Sequence, residues 1–298
     1  LQIRIHVDKQ LGVKGYMGNK MFQAMFAHYL ASKFGDCVVS GVEIPELGIL
    51  AGSDSFRPTN QLRISGHKID VKEILRRTGQ GKIDCIVTEA LGMRLEYYRN
   101  DIDKYRRMFA LERFKKSHCF GSDHLVVNVR GAEIMGGIHR DYIPLPIDFY
   151  DYVVSETLLQ PVFMGQIDAG APYGRELLRR FPRAFYLGNK SPVEDFACLL
   201  NATNICMSIS SFSWLASWFS NAQNIHMPAY GLFNPAQRPD INLLPVDDRR
   251  YHFYKFPEVK WQGTANQMDG LYRSEIPFAR ANRSAIRSLV DSHNEATQ

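Results

Sequence analysis

The chain has no run approaching the roughly 20 uninterrupted apolar residues that span a bilayer, and Leu1 to Gln10 lacks a basic region followed by an apolar stretch. On that ground it is read as a soluble protein without a signal peptide, and its setting as cytoplasmic, with peripheral contact at the inner membrane left open. Cysteine is sparse, with five residues, an odd number, and no C-x-x-C pair, which disfavours zinc ribbons and disulfide frameworks. Cys37, Cys85, Cys198 and Cys206 sit in apolar runs and read as reduced core thiols; Cys119 is the exception. No internal repeat and no low-complexity tract occurs, so a solenoid is excluded, and 45% apolar residues over 298 positions argue against disorder. Also missing is the G-x-G-x-x-G of dinucleotide enzymes; the first loop reads G-x-x-G-N from Gly15 to Asn19, which sets a nicotinamide-dependent oxidoreductase aside.

What is present begins with charge. Thirty-six Lys and Arg against 31 Asp and Glu leave a net +5, with arginines paired at 106–107, 179–180 and 249–250. That balance suits a nucleotide diphosphate, an anionic membrane face or a nucleic acid, and does not choose among them. Nucleic-acid binding rests on charge alone and ranks last.

Ile3 to Val7 alternates as a strand, leads through a Gly-containing loop and reaches an amphipathic helix expected from Lys20 to Phe34. Short strands are expected at Cys37–Val39 and Cys85–Thr88, and Arg94 to Lys116 reads as one long surface helix with a buried aromatic stripe. Asp123 to Val129 is the clearest buried strand. After it come expected helices at Phe149–Leu159, Gly174–Phe181 and Pro192–Asn201, and a strand at Pro161–Met164. Ile205–Ile209 is then a strand feeding a Ser-rich turn and a helix over Ser213–Ser220. Strands alternating with helices predict an α/β fold of two doubly wound parallel sheets in tandem, with domains 1–122 and 123–298. Beyond Pro245 the pattern is irregular until a basic helix near Ala279–Ser292, for which a crossing back to the first domain is left open.

Three junctions carry residues suited to chemistry. Gly18 and Asn19 lie at a strand-to-helix loop where unpaired N–H groups meet an anion, or where a turn simply needs Gly and an Asn cap. The strand ending at Val129 delivers Arg130 and Glu133 to its carboxyl end, where ligands of open α/β sheets bind; the two also suit a plain ion pair. Ser210-Ser211-Phe212-Ser213-Trp214 opens a helix after a strand, and its hydroxyls and N–H groups suit a phosphate cradle. Trp214 and Trp218, one helical turn apart, read as core before sugar platform. The D-x-D at Asp101-Ile102-Asp103 falls in the long charged helix and reads as a solvated face, so no metal site is expected.

The order of these motifs resembles that of the alpha-1,2-fucosyltransferases, with more distant likeness to the alpha-1,6- and protein O-fucosyltransferases. Tyr16-Met17-Gly18-Asn19-Lys20-Met21-Phe22-Gln23 is similar to that family's G-G-L-G-N-Q-M-F-Q. Asn128-Val129-Arg130-Gly131-Ala132-Glu133 stands where H-x-R-R-G-D occurs, and Ile209 to Leu215 where N-S-S-F-S-W-W occurs. His139 with Tyr142 to Pro146 and Phe149-Tyr150 resembles the family's central helix entry, and Glu194-Asp195 its acidic pair. The likeness runs from about residue 15 to 235. The second arginine of the central motif is Gly131, its leading His is Asn128, its Asp is Glu133, and Tyr16 and Lys20 replace Gly and Gln in the first.

This resemblance implies a GT-B fold, two facing Rossmann-like domains with a cleft between them, the second binding a GDP-sugar donor and the first a glycan acceptor. It implies metal-independent, inverting transfer of fucose or a related sugar without a further cofactor. Arg130 and the Ser210, Ser211, Phe212 and Ser213 turn would neutralise the departing diphosphate, with Gly18, Asn19, Glu194 and Asp195 also on the donor. Glu133 or His139 would be the base for the acceptor hydroxyl. Three or four bonds to charged phosphate oxygens, at about 1.5–3 kcal/mol each, approach the roughly 8 kcal/mol of a micromolar site before entropic costs, so that estimate requires no metal. The alternatives are a transferase using another nucleotide sugar and a catalytically silent relative that binds nucleotide or glycan.

Overall fold

The structure, a computed structural model, describes residues 2–8, 16–52, 58–81, 83–114, 120–188, 190–273 and 275–295. It is an α/β protein with two parallel-dominated sheets, and the chain divides into two compact units. Unit 1 comprises Leu1–Phe109 with Asp240–Leu243, and unit 2 comprises Ala110–Pro239 with Leu244–Gln298. Among the described residues no helix is long and apolar enough to cross a membrane.

In unit 1, β1 (Ile3–Val7) buries Ile3, Ile5 and Val7 and leaves Arg4 and His6 half-buried, the alternation that the sequence predicts. It is followed by α1 (Met17–Ala31), β2 (Cys37–Ser40), β3 (Gln61–Ile64), α2 (Val71–Gly79), β4 (Cys85–Thr88) and α3 (Ile102–Met108). The four strands run parallel in the order β2-β1-β4-β3. Their core gathers Ile5, Leu30, Ile74 and Ile86. β3 and α2 were not legible as elements in advance: Gln61–Ile64 is short and half polar, and α2 is held by Asp70, whose carboxylate accepts the Glu73 N–H at 2.9 Å.

Two expectations in unit 1 need correction. α1 begins one turn earlier than Lys20, because the buried stripe Met17, Met21, Met25 starts at Met17. Gly18 and Asn19 therefore lie in the first helical turn, with Gly18 buried and the Asn19 N–H bonded to the Tyr16 carbonyl at 2.9 Å; Gly15 lies outside the described residues. The segment 94–116 is not one helix either. A 3-10 turn at Leu95–Tyr97, α3 and a second 3-10 turn at Leu111–Phe114 replace it, with Ala110 at φ +50° between the last two. The start of the segment is tethered within unit 1: the buried Arg94 guanidinium reaches the Asp240 carbonyl at 3.1 Å, and the Leu95 N–H meets the Asn242 carbonyl at 2.7 Å. Asp101 caps α3 by position, and Asp103 is exposed and paired with Arg106 at 3.3 Å.

Unit 2 carries β5 (His124–Val129), α4 (Ile147–Thr157), β6 (Gln160–Gly165), α5 (Pro172–Arg180), β7 (Phe185–Leu187) and α6 (Pro192–Asn201). It continues with β8 (Asn204–Cys206), α7 (Ser211–Phe219), β9 (Asn224–Ala229), β10 (Tyr251–Lys255), α8 (Ala265–Gly270), β11 (Ala279–Ala281) and α9 (Arg283–Glu295). The sheet order is β11-β10-β9-β8-β5-β6-β7, parallel throughout except for the β11 edge. The region beyond Pro245 thus holds a sheet strand, β10, and Ala279–Ala281 is an edge strand ahead of the last helix instead of its first turn. Trp214 and Trp218 are buried and stacked, ring centroids 5.3 Å apart, as core residues. Cys85, Cys198 and Cys206 are buried, and Cys37 is half-buried.

Strand β6 ends in Gly165 at φ +100°, where an added Cβ would lie 2.5 Å from the Val129 carbonyl oxygen. Gly165→Ala is expected to cost at least about 2 kcal/mol in urea denaturation, from the disfavoured φ and this contact together. Exposed Gly188, with ordinary φ and open space around it, should tolerate alanine within about 0.5 kcal/mol. Equal losses for the two variants would remove the steric account.

Candidate functional site

The strand order fixes where a ligand would sit in unit 2. From β5 the chain moves through β6 to β7 on one side, then returns to place β8, β9 and β10 on the other. Right-handed crossovers of opposite direction put their helices on opposite faces of the sheet, leaving a crevice at the carboxyl ends of β5 and β8. Arg130 follows β5 directly, and the Ser208 to Ser213 turn follows β8.

These two ends are joined by a buried hydrogen bond. The Ser208 hydroxyl donates to Asn128 Oδ1 at 2.6 Å and lies 3.1 Å from the Ser210 hydroxyl. The Ser213 N–H donates to Ser210 Oγ at 3.0 Å, capping α7, and the Ser208 N–H donates to Ser213 Oγ at 3.3 Å. Ser210, Ser211 and Ser213 are all buried, and the hydroxyls of Ser210 and Ser213 hold the turn itself. What α7 offers a ligand is the electropositive end of its first turn, on which half-exposed Phe212 lies. Phe212 packs edge-on against Phe196 of α6, centroids 5.4 Å apart.

Arg130 donates to Glu133 Oε1 at 2.6 Å, and its guanidinium lies 4.9 Å from the centre of the Tyr142 ring. The other Glu133 oxygen accepts from Gln166, in the loop after β6, at 2.9 Å. Burial tends to raise the Glu133 pKa, but the Arg130 hydrogen bond and the further donors outweigh it, so the carboxyl sits below its ordinary value. Arg130 is thus already ion-paired, as one reading of the sequence has it, while remaining partly accessible at the strand end. Position 131 has little room for a side chain: a Cβ would come within 3.0 Å of the Gln166 carbonyl and 3.2 Å of the Tyr173 ring.

His139 packs edge-on against Tyr142 at 4.9 Å, so one tyrosine ring touches both Arg130 and His139. Burial lowers the His139 pKa, and Arg238, Arg140 and Arg130 lower it further against the pull of Asp141. Its Nδ1 accepts the Asp141 N–H at 3.3 Å, which leaves the proton of the neutral ring on Nε2. Asp141 is almost fully buried and anchors the cluster, taking Gln237 at 2.8 Å and Arg238 at 3.2 Å.

Glu194 and Asp195 occupy the first turn of α6. Glu194 closes a capping box with Ser191 and is exposed, so its carboxylate serves the helix end. Asp195 has a buried, unbonded Oδ1, and desolvation raises its pKa to about 6. Gly18 and Asn19 belong to α1 of unit 1.

Sequence reading singled out Arg130, Glu133, His139 and the Ser turn, and missed Asn128, Ser208, Gln166, Asp141 and Arg238 as members. A signal existed for Asn128 alone, since an amide inside a buried strand must have a built partner. The cluster holds three arginines and two carboxylates, and Arg130 follows the strand next to the one that leads into α7; an arginine and a helix N-terminus on adjacent strand ends suit an anionic ligand such as a diphosphate. No family model matches the chain, and comparison with curated proteins returns no match.

For Asp195 the folded pKa near 6 lies above the ordinary 3.8, so the folded state binds the proton more tightly than the unfolded one. Stability should therefore fall as pH rises from about 4 to about 6 and level off above. Asp195→Asn should remove that fall in chemical denaturation measured across pH; an unchanged profile would contradict the assignment.

Proposed function

We propose that the chain is an inverting, metal-independent glycosyltransferase of the GDP-fucose type, transferring fucose or a related sugar to a glycan hydroxyl. The observation that carries this reading is the placing of Arg130 after β5 and of the α7 N-terminus after its neighbour β8, at the switch point, with the strand ends tied by the Asn128–Ser208 bond. A sugar–diphosphate bond breaks when the departing charge is stabilised, and an arginine together with a helix N-terminus supplies that stabilisation in fixed position. The GT-B arrangement, with the donor on unit 2 and the acceptor on unit 1, belongs to this proposal.

In this reading the base is Glu133. Its carboxylate is ionised at neutral pH, and with one donor on each oxygen it keeps lone pairs for the acceptor hydroxyl. His139, carrying its proton on Nε2, acts as a hydrogen-bond donor toward the diphosphate. Tyr142 lies against both Arg130 and the neutral His139 ring, and the Asp141 N–H on Nδ1 holds His139 in place.

One observation favours a second reading. With Arg130 paired to Glu133, and Ser210 and Ser213 closing their own turn, the donors left for a diphosphate are few, as a catalytically silent nucleotide-binding relative would have them.

Thermal unfolding with GDP, UDP, dTDP and CMP, on wild type and Arg130→Ala, tests the site. GDP should stabilise wild type, and Arg130→Ala should lose at least about tenfold in affinity, the loss of one charge-assisted bond. Absence of any nucleotide effect, or an Arg130→Ala response equal to wild type, rejects it. Transfer from GDP-fucose to an acceptor panel separates the two readings: Glu133→Gln should keep GDP binding and lose about 100-fold or more in turnover. GDP binding with no turnover on any acceptor selects the silent relative.

A further inference from the structure

In unit 2, Glu133 and His139 stand on a segment that has little burial of its own to hold it. Glu133 opens the 3-10 turn Glu133–Gly136, and His139 lies in the loop that follows. That loop does not anchor itself: Ile138 is 73% exposed, and the side chains of His139 and Arg140 are 49% and 68% exposed. Gly136 and Gly137 lead into it, Gly137 at φ +70°, and glycines add backbone freedom. A segment of this composition keeps one position only if other parts of the chain impose it.

Residues 259–263 impose it. Trp261 is 1% exposed; its Nε1–H donates to the Ile134 carbonyl at 2.7 Å and its backbone N–H to the Arg140 carbonyl at 2.9 Å. One residue thus ties the Glu133 turn to the far side of His139. The Ile134 carbonyl also takes the Gly137 N–H at 3.1 Å, which closes the turn. Beside Trp261 the two segments meet backbone to backbone, since a Cβ at Gly137 would collide with the Gln262 carbonyl and one at Gly263 with the Met135 carbonyl. Gln237 adds a further tie: its amide donates to Asp141 Oδ1 at 2.8 Å and to the Val259 carbonyl at 2.9 Å, and accepts the Val259 N–H at 3.2 Å. From α8, Gln267 donates to the Lys260 carbonyl at 2.8 Å and accepts the Gln262 N–H at 2.8 Å. Residues 259–263 are therefore held on both sides of Trp261, and a buried indole that bonds two carbonyls transmits that hold.

We propose that Trp261 is a positioning residue of the site, bracing the Glu133 turn and the His139 loop into one fixed arrangement. What Glu133 and His139 then do for a substrate rests on the glycosyltransferase reading; the brace is measured on His139 itself.

The test is nitrogen NMR of the full chain labelled at histidine, the His139 signals assigned by their loss in His139→Gln. In wild type His139 should be the Nε2–H tautomer and titrate below the ordinary 6.5 of histidine, as its burial requires. Trp261→Phe keeps an aromatic ring and removes the Nε1 donor. It should mix the two tautomers, move the His139 midpoint up toward 6.5 as the loop loosens, and speed exchange of the Gly137 amide by about fivefold or more. Gln267→Ala, at a position that is not buried, should act in the same direction and decides the matter if Trp261→Phe does not fold. Ile286→Val, a core change on α9, controls for general loosening and should leave His139 as in wild type. In transfer from GDP-fucose, Trp261→Phe should lower kcat by about fivefold or more with KM for the donor within about twofold. A folded Trp261→Phe with wild-type His139 titration and Gly137 exchange, or the same changes in Ile286→Val, overturns the proposal. Neither NMR readout needs a nucleotide, so a chain that binds no GDP rejects the glycosyltransferase reading while the brace is still decided on His139.

Discussion

A buried amide in the middle of a parallel sheet has to be paired, and in unit 2 the pairing of Asn128 with the Ser208 hydroxyl sets the geometry of the strand ends around it. The bond crosses from β5 to the turn after β8, the two strands between which the direction of winding reverses. Through Ser208 it reaches Ser210 and Ser213, and so fixes where α7 starts. Through β5 it fixes where Arg130 emerges. Leaving either polar group without its partner would cost about 1–3 kcal/mol, a substantial part of a domain's net stability.

Around that join, electrostatics is arranged in two layers. Arg130, Glu133 and Gln166 form the outer one, at the strand ends. Asp141 with Arg238 and Gln237 forms the inner one, buried, and His139 and Tyr142 bridge the two. At Gly131 an added Cβ would come within 3.0 Å of the Gln166 carbonyl and 3.2 Å of the Tyr173 ring, so the position favours glycine. Further positive charge comes to the cluster from Arg238, paired with Asp141 at 3.2 Å.

Periodicity was legible where one face of an element is buried and the other is wet. β1, β5, α4, α5 and α6 fall within a few residues of their expected places because their alternating or helical apolar spacing is unbroken. Elements whose hydrogen bonds or burial come from distant segments were not. The 94–116 segment has a helical pattern, yet its first residues, Arg94 and Leu95, are bonded to the carbonyls of Asp240 and Asn242, and Ala110 at φ +50° ends α3. β10 lacks alternation because Tyr251, Phe253 and Tyr254 are buried together between its neighbours.

By itself, then, the sequence determined that the chain is α/β with parallel sheets, that Cys85, Cys198 and Cys206 are buried in the core, and that Arg130 and the Ser turn lie at strand ends. These are local properties, set by side-chain spacing and by the few conformations that Gly, Ser and Pro allow. Only the tertiary structure decided that the serine hydroxyls hold their own turn, that Asn128 ties β5 to β8, and that Asp141 and Arg238 complete the cluster. Each depends on which strand lies beside which, and strand order is set by the burial of whole faces at once, a sum over the sheet that no single stretch of residues contains.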